Sequence, residues 1–290
     1  MHKRLVGKFL SLYFLDFFMN DLVRIGSETA KGGFANEDTI MKKFNSWKKD
    51  REAKKWLEIM GYNLKKIKKV EAIKLHGHKT DVQIKVLITL KKAISVQNIS
   101  IKKANNDADY NQADKRWVKS YKEMWEIPQE IVKMLMIFTG EISPKQLLKE
   151  RKIIKQKYNS LRDKRRFFFD EFNNDRREEL LTFFRKNKVL IVTDIIKGND
   201  KFAANWMLVT RYDTKKNETS WVLADINTAM NTFSQGEIKI SPQGSLYIGR
   251  ITMQRKGGDA GRKTANMLQF KIKPCDLFKH QNSLKEFLKI

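Results

Sequence analysis

Between residues 36 and 59 the apolar positions Ile40, Phe44, Trp47, Trp56 and Ile59 fall mostly three, four or seven apart among lysines and glutamates. That spacing predicts an amphipathic helix. The period then changes. Residues 70–75, 81–90 and 94–102 are stretches rich in β-branched residues, broken at 76–79 and at Lys91-Lys92, and they read as three strands. From 111 to about 187 the signals are helical: 112–125, then 128–138 with a proline in its first turn. A stretch dense in Lys and Arg follows over 149–166; it reads as a solvated helix face that also has the charge to contact phosphate. Trp117, Tyr121 and Trp125 recur four apart and are assigned to the core, as is the run 167–169 behind a basic edge at 162–166. Strand character returns at 189–195, 205–212, 221–223, 237–240, 245–254 and 265–272. The order helix, strands, helices, strands predicts an α+β fold rather than an alternating α/β one. With only four prolines and no Gly/Ser-rich tract, no linker divides the chain.

Composition adds a partner class. The chain has 290 residues, 41% of them hydrophobic, enough to bury a core. Its 59 Lys+Arg exceed its 33 Asp+Glu, giving a formal charge of +26. Solubility needs far less, and the excess points to a polyanion, with nucleic acid ahead of an acidic membrane surface. The single cysteine, Cys275, excludes an internal disulfide framework and a Cys-cluster zinc site, which fits a reducing cytoplasm. His76 and His78 alone make a poor zinc site. The apolar run 9–19 is interrupted by Asp16, is too short to span a bilayer and lacks a small-residue cleavage site. Met19 serves equally well as a translation start, so residues 1–18 read either as an upstream extension or as an extra helix on the body. Residues 19–290 read as one domain, with an active hairpin at about 69–103, a helical middle over 111–187 and a strand-rich part over 188–290.

If 81–90 and 94–102 form an antiparallel hairpin centred between Lys91 and Lys92, Asp81 lies opposite Lys102 and Gln83 opposite Ser100. Directly opposed residues share a face, so all four side chains converge, with Val82, Ile84, Ile99 and Ile101 on the reverse. A carboxylate beside a lysine on a rigid hairpin, in a strongly basic protein, is the arrangement of a metal-dependent phosphodiesterase. The carboxylate holds Mg²⁺ and the lysine orients the nucleophile or stabilises charge on phosphorus.

Four blocks carry a resemblance: residues 26–37; Thr80-Asp81 with Ile99-Ser100-Ile101-Lys102; 110–115 with Trp117; and the long glycine-containing block 249–271. In these the chain resembles the HinP-type type II restriction endonucleases of the PD-(D/E)xK nuclease superfamily, from about Met19 to Phe278, with an apparent insertion near 143–160. The resemblance implies a restriction-endonuclease-like mixed β-sheet core flanked by helices. It implies Asp81 as metal ligand and Lys102 as active-site lysine. Ser100 stands where the superfamily places Glu, or Gln in the nearest relatives, so Gln83 and Glu37 become the candidates for a compensating ligand. It further implies Mg²⁺, two ions per site, double-stranded DNA as substrate, a short G+C palindrome such as GCGC, and a cognate DNA methyltransferase. The enzyme is expected to act as a monomer or homodimer, leaving 5′-phosphate and 3′-hydroxyl ends.

Residues 254–262 lack the terminal Gly-Lys-Ser/Thr of a nucleotide loop and read as a glycine-containing loop between two strands. Given the resemblance, Arg250, Gln254, Arg255, Lys256, Arg262, Asn266 and Gln269 are the candidates for reading bases and positioning phosphates, because Arg bonds guanine bidentately and Gln or Asn bond base edges. The loop after Lys102 begins beside the scissile phosphate. There Tyr110 is a candidate wedge, and Asn111, Gln112 and Lys115 are candidates for groove contacts. Tyr110 packed on the body is the structural alternative. Ser27, Thr29 and Lys31 are backbone-contact candidates by resemblance. Two other readings stay open at this point: a structure-specific repair or junction nuclease, and a DNA-binding protein inactivated at Ser100.

Overall fold

The computed structural model describes residues 34–75, 83–90, 93–199, 203–213, 217–258 and 262–279. Residues 1–33, which include Ser27, Thr29 and Lys31, and the segment with His76, His78 and Asp81 lie outside them.

The first helical stretch is two helices rather than one: α1 over 34–45 and α2 over Arg51–Ile59. The chain turns between them because Asp50 caps α2, its carboxylate accepting from the Ala53 amide at 2.9 Å. Next come β1 (Ile67–Leu75), β2 (Gln83–Leu90) and β3 (Ile94–Ala104), the three strands anticipated from the β-branched stretches. With β5 (Trp206–Asp213) and β6 (Glu218–Asp225) they form a five-stranded sheet in the order β1-β2-β3-β5-β6. β3 and β5 run parallel and the other pairs antiparallel. One face buries Val70, Ala72, Val86, Ile88, Ile99, Ile101, Leu208 and Leu223 against Ile40, Phe44, Trp56 and Leu57.

Tyr121 and Trp125 are buried as assigned, but Trp117 is 36% exposed. Four assignments of secondary structure also need correction. Residues 112–125 are not one helix: β4 (Asn111–Arg116) precedes α3 (Val118–Trp125). β4 is polar apart from the buried Ala113 and gains strand conformation by pairing with β10 (Leu268–Ile272), a partner remote in sequence. The basic stretch 149–166 is not a helix face; α4 (Gln129–Thr139) is followed by two short helices, α5 (Pro144–Lys149) and α6 (Lys155–Ser160), and an irregular run. After α7 (Asn174–Lys186), the expected strand at 189–195 is helix α8 (Lys188–Ile196). Its buried Ile191, Val192, Ile195 and Ile196 follow helical spacing, and Asp194 accepts the Trp125 indole N–H at 2.7 Å. Packing thus outweighs the strand preference of β-branched residues. Finally, 245–254 is two strands, β8 (Leu246–Ile248) and β9 (Ile251–Arg255). They turn at Gly249, whose φ of +60° and 2.5 Å approach of a would-be Cβ to the Ser234 carbonyl admit no side chain.

Helix α9 (Ile226–Ser234), capped by Asp225, was not anticipated. β7 (Ile238–Ile240) completes an antiparallel second sheet of order β4-β10-β9-β8-β7. Its apolar face shares one core with α3, α4, α7, α8, α9 and the β5–β6 edge of the first sheet. The α+β class and mixed sheet therefore hold.

Candidate active site and nucleic-acid interface

The β2–β3 register places Gln83 opposite Ser100, Ile84 opposite Ile99 and Thr89 opposite Ile94, the pairing expected from a turn centred between Lys91 and Lys92. Asp81 and the side chain of Gln83 fall outside the described residues. Ser100 and Lys102 are two apart on β3 and so share a face; each is only 4% exposed. A buried ammonium needs partners, and Lys102 Nζ donates to the Gln112 carbonyl at 3.1 Å. The two sheets meet at this bond.

Glu37 comes from the first turns of α1 and is 7% exposed. Its Oε2 lies 3.1 Å from Lys74 Nζ at the end of β1, and the same ammonium is 3.2 Å from Asp38 Oδ1. Burial pushes the Glu37 carboxyl above its ordinary value, opposed by the charges of Lys74 and Lys102. A carboxyl raised by folding contributes stability below the ordinary carboxylate range and loses it as pH rises through the folded value. At neutral pH the ionised group is therefore a cost. Glu37→Gln is expected to raise the thermal midpoint of the metal-free protein at pH 7, with Asp38 still pairing Lys74, and to lose that gain in acid; a lower midpoint at pH 7 contradicts this. Among the described residues no group of three His, Cys, Asp or Glu side chains stands ready for a metal.

The second sheet presents polar residues in rows. Lys115, Gln269 and Gln254 lie opposite one another across β4, β10 and β9. The next row runs Gln112, Lys271, Thr252, Tyr247 and Lys239 across all five strands. A bulge in β4 sets the step between rows. Gln269 Nε2 donates to Gln112 Oε1 at 2.8 Å, so Gln112 joins this surface through its side chain and Lys102 through its carbonyl. Burial pushes the Lys271 ammonium below its ordinary value. Lys271 and Thr252 were not among the residues anticipated, although the alternation of Gln269 and Lys271 with buried Leu268, Phe270 and Ile272 signals a polar strand face. Lys74 carried no such signal in so lysine-rich a chain.

The remaining candidates separate by what they already touch. Tyr110 is exposed, with the Lys273 ammonium 4.9 Å from its ring centroid. Asn111 begins β4 beside it. Arg262 is exposed and Lys256 half-buried at the two ends of the glycine-containing loop. Arg255 donates to the Thr139 carbonyl at 2.9 Å and to Asn266 Oδ1 at 2.7 Å, and Asn266 donates to the Gly140 carbonyl at 3.0 Å. These two are engaged inside the chain, tying β9 to the end of α4. Arg250 Nη2 donates to Gln235 Oε1 at 2.8 Å from the β8–β9 turn.

This combination of a buried strand lysine, a nearby helix carboxylate and a polar five-stranded face agrees with comparison to known proteins. The family model described as R.HinP1I restriction endonuclease matches residues 60–278. The chain belongs to this family. Among solved structures, the crystal structure of restriction endonuclease MspI in complex with its cognate DNA is similar, with a TM-score of 0.56 at 13% identity, over 91% of this chain and 98% of that chain. At that identity the likeness concerns the fold. A search of curated proteins returns no match. The enzyme is a site-specific type II nuclease, and restriction endonucleases of this kind generally use divalent metals. Among the described residues of the endonuclease no helix is long and apolar enough to cross a membrane.

Proposed function

We propose that the endonuclease hydrolyses double-stranded DNA at a short palindrome, with GCGC the first sequence to test, in a Mg²⁺-dependent reaction that leaves 5′-phosphate and 3′-hydroxyl ends. The observation that carries this reading is the position of Lys102, whose ammonium is held by the backbone of Gln112, a residue whose side chain lies in the polar rows of the second sheet. Chemistry and base contact are one residue apart.

Magnesium takes oxygen ligands, and the candidate donors, Asp81, Glu37, Ser100 and the Gln83 amide, are all oxygen. A divalent ion held by these oxygens would supply activation of water and neutralisation of phosphate charge. Lys102 is assigned to orient the attacking water or to stabilise the charge gathering on phosphorus. Ser100 is shorter and neutral compared with the superfamily glutamate, so Glu37 and Gln83 carry the compensation. On the second sheet Gln112, Lys115, Gln254 and Gln269 suit a groove, with Lys271 added to them. Tyr110 is exposed where a wedge would enter, with Asn111 beside it, and Arg250, Lys256 and Arg262 supply positive charge at turns. Arg255 and Asn266 are assigned to hold the base of the reading loop rather than to meet DNA bases. We place residues 19–290 in one endonuclease domain acting in the cytoplasm, as monomer or homodimer, within a restriction–modification system whose methyltransferase protects host sites.

Digestion of unmethylated phage-length DNA with Mg²⁺ and with EDTA, followed by sequencing of fragment ends, tests this. Discrete metal-dependent fragments sharing one end sequence are expected, and they read out the site. DNA left intact by a preparation that still binds duplex would instead mean that Ser100 marks an inactivated binding protein. Cutting confined to branched or damaged DNA would favour the repair-type reading.

A further inference from the structure

Outside the active hairpin, the irregular run after α6 brings Arg162, Asp163, Lys164, Arg165 and Arg166 together. Most of its charges are internally satisfied. Arg162 pairs with Asp170 and lies 3.7 Å from Glu171, and Lys164 donates to the carbonyls of Tyr158, Asn159 and Leu161. Arg165 takes both oxygens of Asp163, Nε to Oδ1 at 2.9 Å and Nη2 to Oδ2 at 3.0 Å. Arg166 is left with little. Its side chain is 15% exposed and its guanidinium lies 4.0 Å from the Phe168 ring centroid and 5.3 Å from that of Phe138. The nearest carboxylate oxygen, Asp163 Oδ2, is 3.5 Å from Nε. Neither Nε nor Nη1 has a hydrogen-bond partner among the described residues. Burial pushes this guanidinium down to about 10, and the charge of Arg255 adds to the effect.

Among the described residues, the hydrogen bonds of Arg255 go to neutral acceptors. The two arginine sites are pressed together at Gly140, where a Cβ would stand 2.8 Å from the Arg165 carbonyl and 3.6 Å from Asn266 Oδ1. Arg165 and Arg166 therefore share the one carboxylate of Asp163, with the charge of Arg255 nearby, although buried donors are ordinarily satisfied. The pair is short of a second anion. Arg165, 73% exposed, is the member a ligand reaches first, and Arg255 leads directly into the loop that begins at Lys256.

We propose that Arg165 and Arg166 form a backbone clamp for duplex DNA beside the reading loop that Arg255 anchors: a DNA phosphate takes over Arg165, and Asp163, thereby released, turns to Arg166. The exchange completes the hydrogen bonding of a buried arginine only when DNA is bound. It rests on the reading that the enzyme binds duplex DNA, and it adds a contact made by a segment outside the resemblance blocks.

Salt titration of duplex binding by fluorescence anisotropy tests it, with Ca²⁺ in place of Mg²⁺. Neutralising one phosphate contributes a slope of about 0.9 in log affinity against log salt concentration. Arg165→Gln is expected to reduce the slope by about that amount, equally on cognate and unrelated duplexes, while Arg165→Lys keeps it. Asp163→Asn, which removes the competing carboxylate, is expected to keep the full slope while lowering the thermal midpoint of the free protein. A folded Arg165→Gln protein with the wild-type slope overturns the clamp. Wild-type protein that shows no salt-sensitive duplex binding overturns the DNA-binding reading itself, a different and separately visible result.

Discussion

Lys102→Met is expected to leave duplex binding within a few-fold of wild type and to lower the single-turnover cleavage rate by about 10²–10³-fold, the usual cost of deleting one donor aimed at transition-state charge. Methionine matches the length and much of the volume of the lysine stem, so the tightly packed centre of β3 has no new cavity to fill. What it lacks is the ammonium, which now rests on the Gln112 carbonyl at 3.1 Å. Losing that donor leaves a carbonyl to be satisfied otherwise, a cost of about 1–3 kcal/mol, less than the roughly 5–15 kcal/mol of a typical fold. Rate and binding should therefore separate. A variant that cuts within threefold of wild type would remove Lys102 from the chemistry. A variant that neither cuts nor binds would show instead that its role is to hold the two sheets together.

Phe270→Ala carries the largest expected loss of stability. Phe270 is fully buried on β10, with its ring 5.2 Å from Tyr121 and 5.7 Å from Trp125, edge-on to both. Tyr121 and Trp125 in turn stack at 4.7 Å. Emptying such a position costs about 3–5 kcal/mol, because the transfer term is joined by the unfilled cavity. The position matters beyond stability. Gln269 and Lys271 flank Phe270 and point to the polar face, so the strand that presents them is anchored by this ring. Urea unfolding should show the lowered midpoint, and sequence discrimination in the remaining folded fraction should fall with it. A loss below about 1 kcal/mol would mean that the neighbouring aromatics close over the gap.

The hairpin was legible because its determinants are local. For two β-branched runs joined by a short charged break, the register centred on that break keeps Ile99 and Ile101 on the buried face, and that register is the one observed. Ser100 and Lys102 followed from it. The carboxylate expected opposite Lys102, Asp81, lies outside the described residues, so its pairing rests on the register alone. Glu37 was a candidate only through resemblance, since nothing in the spacing of α1 marks it; burial and the neighbouring Lys74 single it out in the structure.

Misreadings fell where distant packing overrode local preference. The β-branched run of α8 is helical because its apolar residues pack in the core under the second sheet and Asp194 receives the Trp125 indole there. β4 is a strand because β10 pairs with it, although Gln112 and Gln269 are 157 residues apart in sequence. A strand with a single small apolar residue, Ala113, among polar and charged ones carries no periodic signal of its own.

Three things were therefore settled by the sequence alone: the α+β class, the register of the β2–β3 hairpin, and the basic charge that points to a polyanion. Each depends on composition or on neighbours within a few residues, where turn chemistry and side-chain alternation act directly. Only the tertiary structure decided that the Lys102 ammonium meets the Gln112 carbonyl, that Arg255 and Asn266 face inward, and that Arg166 is left short of acceptors. Those outcomes depend on which remote segments pack together, a choice made by burial of the shared core and satisfaction of its polar groups rather than by any local pattern.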